Sequence, residues 1–275
     1  MVDQQQYKTA RLSNGITMPL LGLGVYDMHA DEARKATLTA LQIGYRLLDT
    51  AASYGNEKEI GKAIAESGLK REEIFVTTKV ANHDQGFDST LTAFEISRKK
   101  LGLDYIDLYL VHWPIRGKRK ETWKALEKLY AEKRVRAIGV ANYLVPFLEE
   151  LSSYANEQPV LNQVEFSPYL YLEHLLNYCR EKKICLQSYT PLIRGKKFKD
   201  PKLLHLSEKY GKTPAQIILR WNLQLGVSTI PKSSNPARLK ENFDVFDFSI
   251  SAEDMEAMNH FNEDYRVVDD PMEYF

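Results

Sequence analysis

Cysteine is scarce in this 275-residue chain: Cys179 and Cys185 are the only two, with no Cys-x-x-Cys pair and no His/Cys spacing suited to zinc. A disulfide scaffold and a structural metal are therefore not expected, and both thiols read as packing residues of a reduced compartment. An excess of one charge is missing too. Lys plus Arg total 37 and Asp plus Glu total 37, so no summed field attracts nucleic acid or anionic lipid. No stretch approaches the roughly 18 apolar residues of a membrane helix. The opening Met1-Val2-Asp3-Gln4-Gln5-Gln6 lacks a basic region followed by an apolar one, which leads to the expectation of a cytoplasmic protein. Low-complexity tracts and linkers are also absent, so a single domain over 1–275 is expected. No obvious exposed apolar helix argues for an oligomer, and a monomer is expected.

What the chain does have is 44% hydrophobic residues, enough for a substantial core. Short apolar runs rich in β-branched and aromatic residues alternate with helical patterns, as in repeated βα units around a parallel sheet. The runs are Leu20 to Leu23, Arg46 to Asp49, Ile74 to Lys79, Ile106 to Val111, Val135 to Val140, Val160 to Glu165, Ile184 to Tyr189 and Val227 to Ile230. Eight is the number of a (β/α)8 barrel. Helical spacing of Trp123, Leu126, Leu129 and Tyr130, and of Phe147, Leu148, Leu151 and Tyr154, predicts apolar stripes against that sheet. Thr213-Pro214-Ala215-Gln216 is a helix start with a capping box, and Ser251-Ala252-Glu253-Asp254 is another. An extra helix is expected near Lys202 to Tyr210. Upstream, Tyr7 to Pro19 reads as a hairpin about Asn14-Gly15, a lid on one end of the domain.

In such a barrel the reacting groups gather where the strands end. Asp49, Lys79, His112, Asn142, Gln163, Glu165 and Tyr189 all end a run or lie near its end. Taken singly, a charge in that position is as readily a solvated loop residue. Brought together on one rim, these groups are costly to bury without mutual pairing or a ligand, and such crowding moves pKa values.

Gly44-Tyr45-Arg46-Leu47-Leu48-Asp49-Thr50-Ala51-Ala52-Ser53-Tyr54-Gly55-Asn56-Glu57 resembles the first signature of the aldo-keto reductases. Leu103-Asp104-Tyr105-Ile106-Asp107-Leu108-Tyr109-Leu110-Val111-His112-Trp113-Pro114 is similar to the second, and Ile230-Pro231-Lys232-Ser233 begins the third. The resemblance runs from about Leu12 to about Asn262 and implies an α/β fold, a parallel (β/α)8 TIM barrel with an N-terminal β-hairpin and extra helices. It implies catalytic roles for Asp49, Tyr54, Lys79 and His112, with Tyr54 as proton donor, and NADPH as cofactor. The chemistry agrees, because hydride transfer to a carbonyl builds charge on its oxygen and calls for a proton donor and hydrogen bonds there. Lys79 is expected to lower the Tyr54 pKa and Asp49 to pair with Lys79.

By the same resemblance Asn142 and Gln163 bind the nicotinamide carboxamide, and Tyr189 stacks on its ring. Leu192 is carried over to the pyrophosphate, Lys232, Ser233, Asn235 and Arg238 to the adenosine 2′-phosphate, and Glu241 and Asn242 to the adenine. Two cations and a hydroxyl near a helix start suit a phosphate and favour NADPH over NADH. Gly22-Leu23-Gly24 lacks the third glycine of a Rossmann fingerprint and reads as a tight strand end. Tyr26 and Trp113, with His112, match the substrate pocket, and the short final segment Tyr265 to Phe275 suggests an open one. Ala141 and Thr190 to Gly195 depart from the family pattern. The implied substrates are small aldehydes, α-dicarbonyls such as methylglyoxal, and keto sugar acids. Two other readings stay open: a redox-sensing binding subunit, and a lyase or aldolase with Lys79 as Schiff-base nucleophile.

Overall fold

The computed structural model describes residues 8–274. The opening hexapeptide and the Tyr7 end of the hairpin lie outside the described residues.

Alternation dictates the architecture. Leu47 and Asp49, Phe75, Thr77 and Lys79, Leu108 and Leu110, and Leu161 and Gln163 share one face of their strands, while Leu48, Val76, Tyr109 and Val164 share the other. The second face joins the larger apolar cluster together with helix residues such as Ala40, Ile60, Phe94, Leu126, Phe147, Leu176 and Ile218. Leu47, Phe75, Leu108, Leu110 and Leu161 form a separate cluster inside the sheet. Eight parallel strands result: β3 (Leu23–Gly24), β4 (Leu47–Asp49), β5 (Phe75–Val80), β6 (Ile106–Val111), β7 (Val135–Ala141), β8 (Leu161–Glu165), β9 (Cys185–Tyr189) and β10 (Ser228–Thr229), hydrogen-bonded in chain order. A parallel bridge between Leu21 and Thr229 closes the sheet on itself, with Gly22 N donating to Thr229 O at 2.9 Å and Thr229 N to Leu20 O at 2.7 Å. The fold is the expected (β/α)8 barrel.

The strand bounds move by a residue or two from the expected runs. The largest change is at the closure, where Leu20 to Leu23 becomes β3 at Leu23–Gly24 plus the single bridge. Glycine is required there: a Cβ on Gly24 would stand 2.7 Å from Ile230 O. The tight strand end read at Gly22-Leu23-Gly24 is thus a close approach of the first strand to the last.

Helices α1 (Ala30–Ile43), α2 (Glu57–Glu66), α3 (Phe87–Leu101), α4 (Arg119–Ala131), α5 (Val145–Ser152), α6 (Glu173–Glu181), α7 (Pro201–Tyr210), α8 (Pro214–Gln224), α9 (Pro236–Phe243) and α10 (Ala252–Asn259) surround the sheet. The extra helix α7 stands where it was expected. The capping box of α8 is formed, with Gln216 N donating to Thr213 Oγ1 and Thr213 N to Gln216 Oε1, and Ser251 caps α10. Among the described residues, no helix is long and apolar enough to cross a membrane.

Strands β1 (Thr9–Arg11) and β2 (Thr17–Pro19) form the antiparallel hairpin. Its turn contains the expected Asn14-Gly15. Gly15 N donates to Leu12 O and Leu12 N to Ile16 O, and of the two residues only Gly15 has a positive φ, 87°. This is a three-residue loop ending in a left-handed glycine. Leu12 and the fully buried Met18 join the inner apolar cluster, so the hairpin plugs the barrel end opposite the strand termini that carry the polar groups.

Candidate active site

The inward alternation that packs Leu47 and Phe75 deep in the barrel brings Asp49 and Lys79 to its rim, at the ends of β4 and β5. Lys79 Nζ donates to Asp49 Oδ1 at 2.6 Å and to Thr50 O at 2.9 Å. Both side chains are buried. Burial pulls the Lys79 pKa down and pushes the Asp49 pKa up, and their mutual attraction opposes both shifts. Asp49 Oδ2 accepts from Gln163 Nε2 at 2.7 Å, so neither carboxylate oxygen lacks a donor.

Tyr54 reaches this pair from the turn after β4. That turn is locked by Asn56, which donates to Val25 O and Met28 O and accepts from Thr50 Oγ1. Lys79 Nζ lies 5.1 Å from the centre of the Tyr54 ring. The Tyr54 pKa is raised well above its ordinary value, by burial first and then by the charge of Asp49, with Tyr189 and Tyr26 adding. This corrects the expected lowering by Lys79: with Asp49 at 2.6 Å the ammonium is already neutralised, and burial governs the phenol.

His112 follows β6, with its ring centroid 5.7 Å from that of Tyr54. Burial, then the nearby Lys79 charge, lowers its pKa to about 3, so the ring is neutral at physiological pH. Ser53 Oγ lies 3.3 Å from His112 Nδ1; where Ser53 donates, the ring proton is on Nε2. Tyr26 is 57% exposed and meets the Tyr54 ring edge-on at 5.1 Å. Tyr26, Tyr54 and His112 therefore form an aromatic row.

On the far side, Asn142, just after β7, has a left-handed backbone (φ 65°), which asparagine tolerates. Its Nδ2 donates to His112 O at 2.8 Å and its Oδ1 accepts from Tyr189 OH at 2.6 Å. Gln163 and Tyr189 thus face the same rim as Asp49 and Lys79. After Tyr189 the backbone departs from ordinary geometry: Thr190, Ile193 and Arg194 have φ of 50°, 54° and 52°, at a cost of about 1–3 kcal/mol each. Leu192 sits half-buried in this segment.

The last group stands apart, around the start of α9. Asn235 Oδ1 accepts from Ala237 N and Arg238 N, so two of the amides that open the helix are occupied and the free donors are the side chains. Arg238 is exposed, and Lys232 Nζ donates to Asp27 O at 3.0 Å, with Asp27 Oδ2 at 3.5 Å. Ser233 Oγ accepts from Asn235 N. The Glu241 carboxylate accepts from Thr213 Oγ1 at 2.7 Å and is tied to the α8 cap, while Asn242 is buried beside it in sequence.

The C-terminal segment packs along one side of the site. Glu165 accepts from Val267 N at 2.7 Å and Val268 N at 3.2 Å, and the Tyr274 ring packs on Trp113 at 4.9 Å. Short as it is, the tail covers one wall. Ser53, Asp27, Gln187 and Tyr274 were not singled out from sequence. Their partners lie 59, 205 and 24 residues away in the first three cases, and no local pattern carries such pairings.

Comparison with known proteins agrees with this geometry. The model of the Aldo/keto reductase family matches residues 20–263. The chain is 49% identical over 266 residues to the glyoxal reductase of Bacillus subtilis, covering 96% of each. It is 47% identical to an aldo/keto reductase of Brucella melitensis whose crystal structure superposes with a TM-score of 0.90, covering 92% of this chain and 98% of that one. An aldo-keto reductase of Bombyx mori, solved in complex with NADP, has 37% identity and a TM-score of 0.90 over 95% of this chain and 94% of its own. With a buried Asp49–Lys79 pair beneath Tyr54, His112 beside it and this likeness along nearly its whole length, the chain belongs to the aldo/keto reductase family of oxidoreductases.

Proposed function

We propose that this protein reduces small aldehydes and α-dicarbonyls to alcohols with NADPH, with Tyr54 as the general acid. The observation that carries the reading is the Tyr54 phenol held over a buried, internally neutralised Lys79–Asp49 pair at the mouth of the barrel. A high phenol pKa keeps Tyr54 protonated at neutral pH. Its proton passes to the carbonyl oxygen only as that oxygen becomes a strong base, so the acid acts late and does not ionise beforehand. Neutral His112, with its proton on Nε2, donates a second hydrogen bond to the same oxygen and orients the substrate. Lys79 and Asp49 receive the consequences: the ammonium stabilises the phenolate left behind, and Asp49 holds the ammonium in place.

When bound, NADPH supplies the hydride. The residues fit such a group. Gln163 is buried and its Oε1 has no partner among the described residues, an acceptor suited to a carboxamide N–H; Asn142 is its companion there. The Tyr189 ring, pinned by its bond to Asn142, offers a face for the nicotinamide. Leu192 would contact the pyrophosphate. Lys232, Ser233, Asn235 and Arg238 take the 2′-phosphate, the first and last through charge, and Glu241 and Asn242 lie toward the adenine. Tyr26 and Trp113 wall the substrate. Keto sugar acids belong to the same candidate class, and the likeness to a relative named a glyoxal reductase supports testing α-dicarbonyls first. We take the protein to act as a cytoplasmic monomer of one barrel domain.

A Schiff base at Lys79 is disfavoured by the two short bonds and complete burial of its nitrogen. The test is the loss of NADPH absorbance against a panel of aldehydes, α-dicarbonyls and keto sugar acids, with NADH and Tyr54→Phe in parallel. Turnover that depends on Tyr54 and favours NADPH is expected. Tight NADPH binding without turnover would replace this reading with a redox-sensing one.

A further inference from the structure

Beneath the rim, one level of the barrel is polar where packing alone would take apolar side chains. Gln163 on β8 pairs in register with Gln187 on β9, and Gln187 with Ser228 on β10. All three are buried, Gln187 and Ser228 completely. Gln163 Nε2 donates to Asp49 Oδ2 and to Gln187 Oε1, each at 2.7 Å, and Gln187 Nε2 donates to Ser228 Oγ at 2.9 Å. The row therefore has a direction. It begins at a carboxylate, which only accepts, and each amide must turn its NH2 toward Asp49 or away from it accordingly.

We infer that Gln187 is a positioning residue that fixes which end of the Gln163 amide faces the cofactor. This rests on the reading of Gln163 as a carboxamide ligand. Asp49 takes one hydrogen of the Gln163 NH2, and Gln187 Oε1 takes the other. With both hydrogens committed inside the barrel, the carbonyl oxygen is the end left to receive a carboxamide N–H. A flipped Gln163 would set its oxygen against Asp49 Oδ2 and Gln187 Oε1, three acceptors without a proton among them. A flipped Gln187 would set two NH2 groups face to face. Ser228 does not choose the direction, since a hydroxyl both donates and accepts; it satisfies the far end of the row. Removal of the Gln187 acceptor leaves one Gln163 hydrogen without a partner in a buried place, and Asp49 alone then holds the amide against rotation.

A double-mutant cycle separates this role from packing. NADPH affinity is measured by fluorescence titration, without substrate, for wild type, Gln187→Met, Gln163→Ala and the double variant. Gln187→Met is expected to raise the Kd about 10-fold, the size of one hydrogen bond, and to have no further effect once Gln163 is alanine. Equal losses in both backgrounds, or no loss, overturn the inference. Thermal melting of the cofactor-free variants gives the second readout: non-additive changes in Tm support the Gln163–Gln187 coupling, and additive ones overturn it. Unchanged NADPH affinity in Gln163→Ala alone, with coupling in Tm retained, overturns Gln163 as the ligand and so the cofactor part of the proposal, while the hydrogen-bonded row stands. Should Gln187→Met not fold, the same cycle with Ser228→Ala applies: a smaller rise in Kd that vanishes in the Gln163→Ala background supports the inference, and one that persists there overturns it.

Discussion

Lys79 Nζ stands 5.1 Å from the centre of the Tyr54 ring, yet its two short hydrogen bonds go elsewhere, to Asp49 and Thr50. The cation is therefore held for Tyr54 without first ionising it. Before reaction the pair beneath the phenol is close to neutral overall, and burial keeps the proton on oxygen. On the proposed reading, a group arranged this way is a reservoir of one proton, released on demand by the substrate.

Tyr54→Phe removes that proton and little else. Turnover falls by the ~10²–10⁴-fold typical of a positioned acid, and NADPH affinity stays close to the wild-type value. Comparison of steady-state rates with fluorescence titration checks both halves; an undiminished rate would falsify the assignment.

Asp49→Asn leaves a buried ammonium without its counter-charge. We expect a loss of about 3–5 kcal/mol in stability, read from denaturant unfolding, together with loss of turnover as Lys79 sheds its proton. Lys79→Met, which removes the cation and leaves Asp49 hydrogen-bonded only by Gln163, should also abolish turnover.

The pH dependence of stability carries a signature of His112. Its pKa falls from the ordinary 6.5 to about 3 in the folded chain, so the unfolded chain binds this proton first as pH drops. Stability is complete above pH 6.5 for this group and is lost as pH falls from there toward 3. Thermal melts of His112→Gln across that window should be flatter than those of wild type. Identical slopes would show that His112 takes up its proton in the fold as readily as in the unfolded chain.

Lys232→Ala and Arg238→Ala should weaken NADPH much more than NADH, since the 2′-phosphate is what distinguishes the two. Asp27 competes for Lys232 in the present arrangement, so Asp27→Asn is expected to act in the opposite sense and tighten NADPH by a few-fold, as befits an exposed ion pair worth about 0.2–1 kcal/mol. Fluorescence titration at low and high salt reads both effects, and equal changes for the two cofactors would remove the phosphate assignment.

Tyr274→Ala withdraws the ring that backs Trp113. An aromatic pair contributes about 0.5–1.5 kcal/mol beyond area, so KM for a small α-dicarbonyl should rise roughly fivefold while kcat holds. An unchanged KM would mean that the tail covers the wall without shaping the pocket.

The barrel was legible because its code is local. Eight short apolar runs, the caps at Thr213 and Ser251, and the polar residues at strand ends can each be read within a few neighbours. The hairpin about Asn14-Gly15 was legible too, but its loop length was not, since only the pairing of Leu12 with Ile16 selects three residues. The rim was legible in its members and in the Asp49–Lys79 pair, and not in the rest of its wiring. Glu241 shows the difference: its position suits the adenine, yet its carboxylate is bound by Thr213 of another helix. Gln187 shows it more sharply, since nothing near it in sequence distinguishes a buried amide that orients another from one that merely fills space.

The plug of Met18 and Leu12 over Leu47, Phe75, Leu108 and Leu161 does more than close one end of the barrel. It makes the floor beneath Asp49 and Lys79 a medium of low polarisability, in which charges are poorly screened. Field from the Lys79–Asp49 dipole is therefore poorly dissipated downward into water, and on the proposed reading it acts at the mouth, where a carbonyl oxygen would gain its charge. The hairpin, remote from every reacting atom, thus works as the insulating backplate of the site.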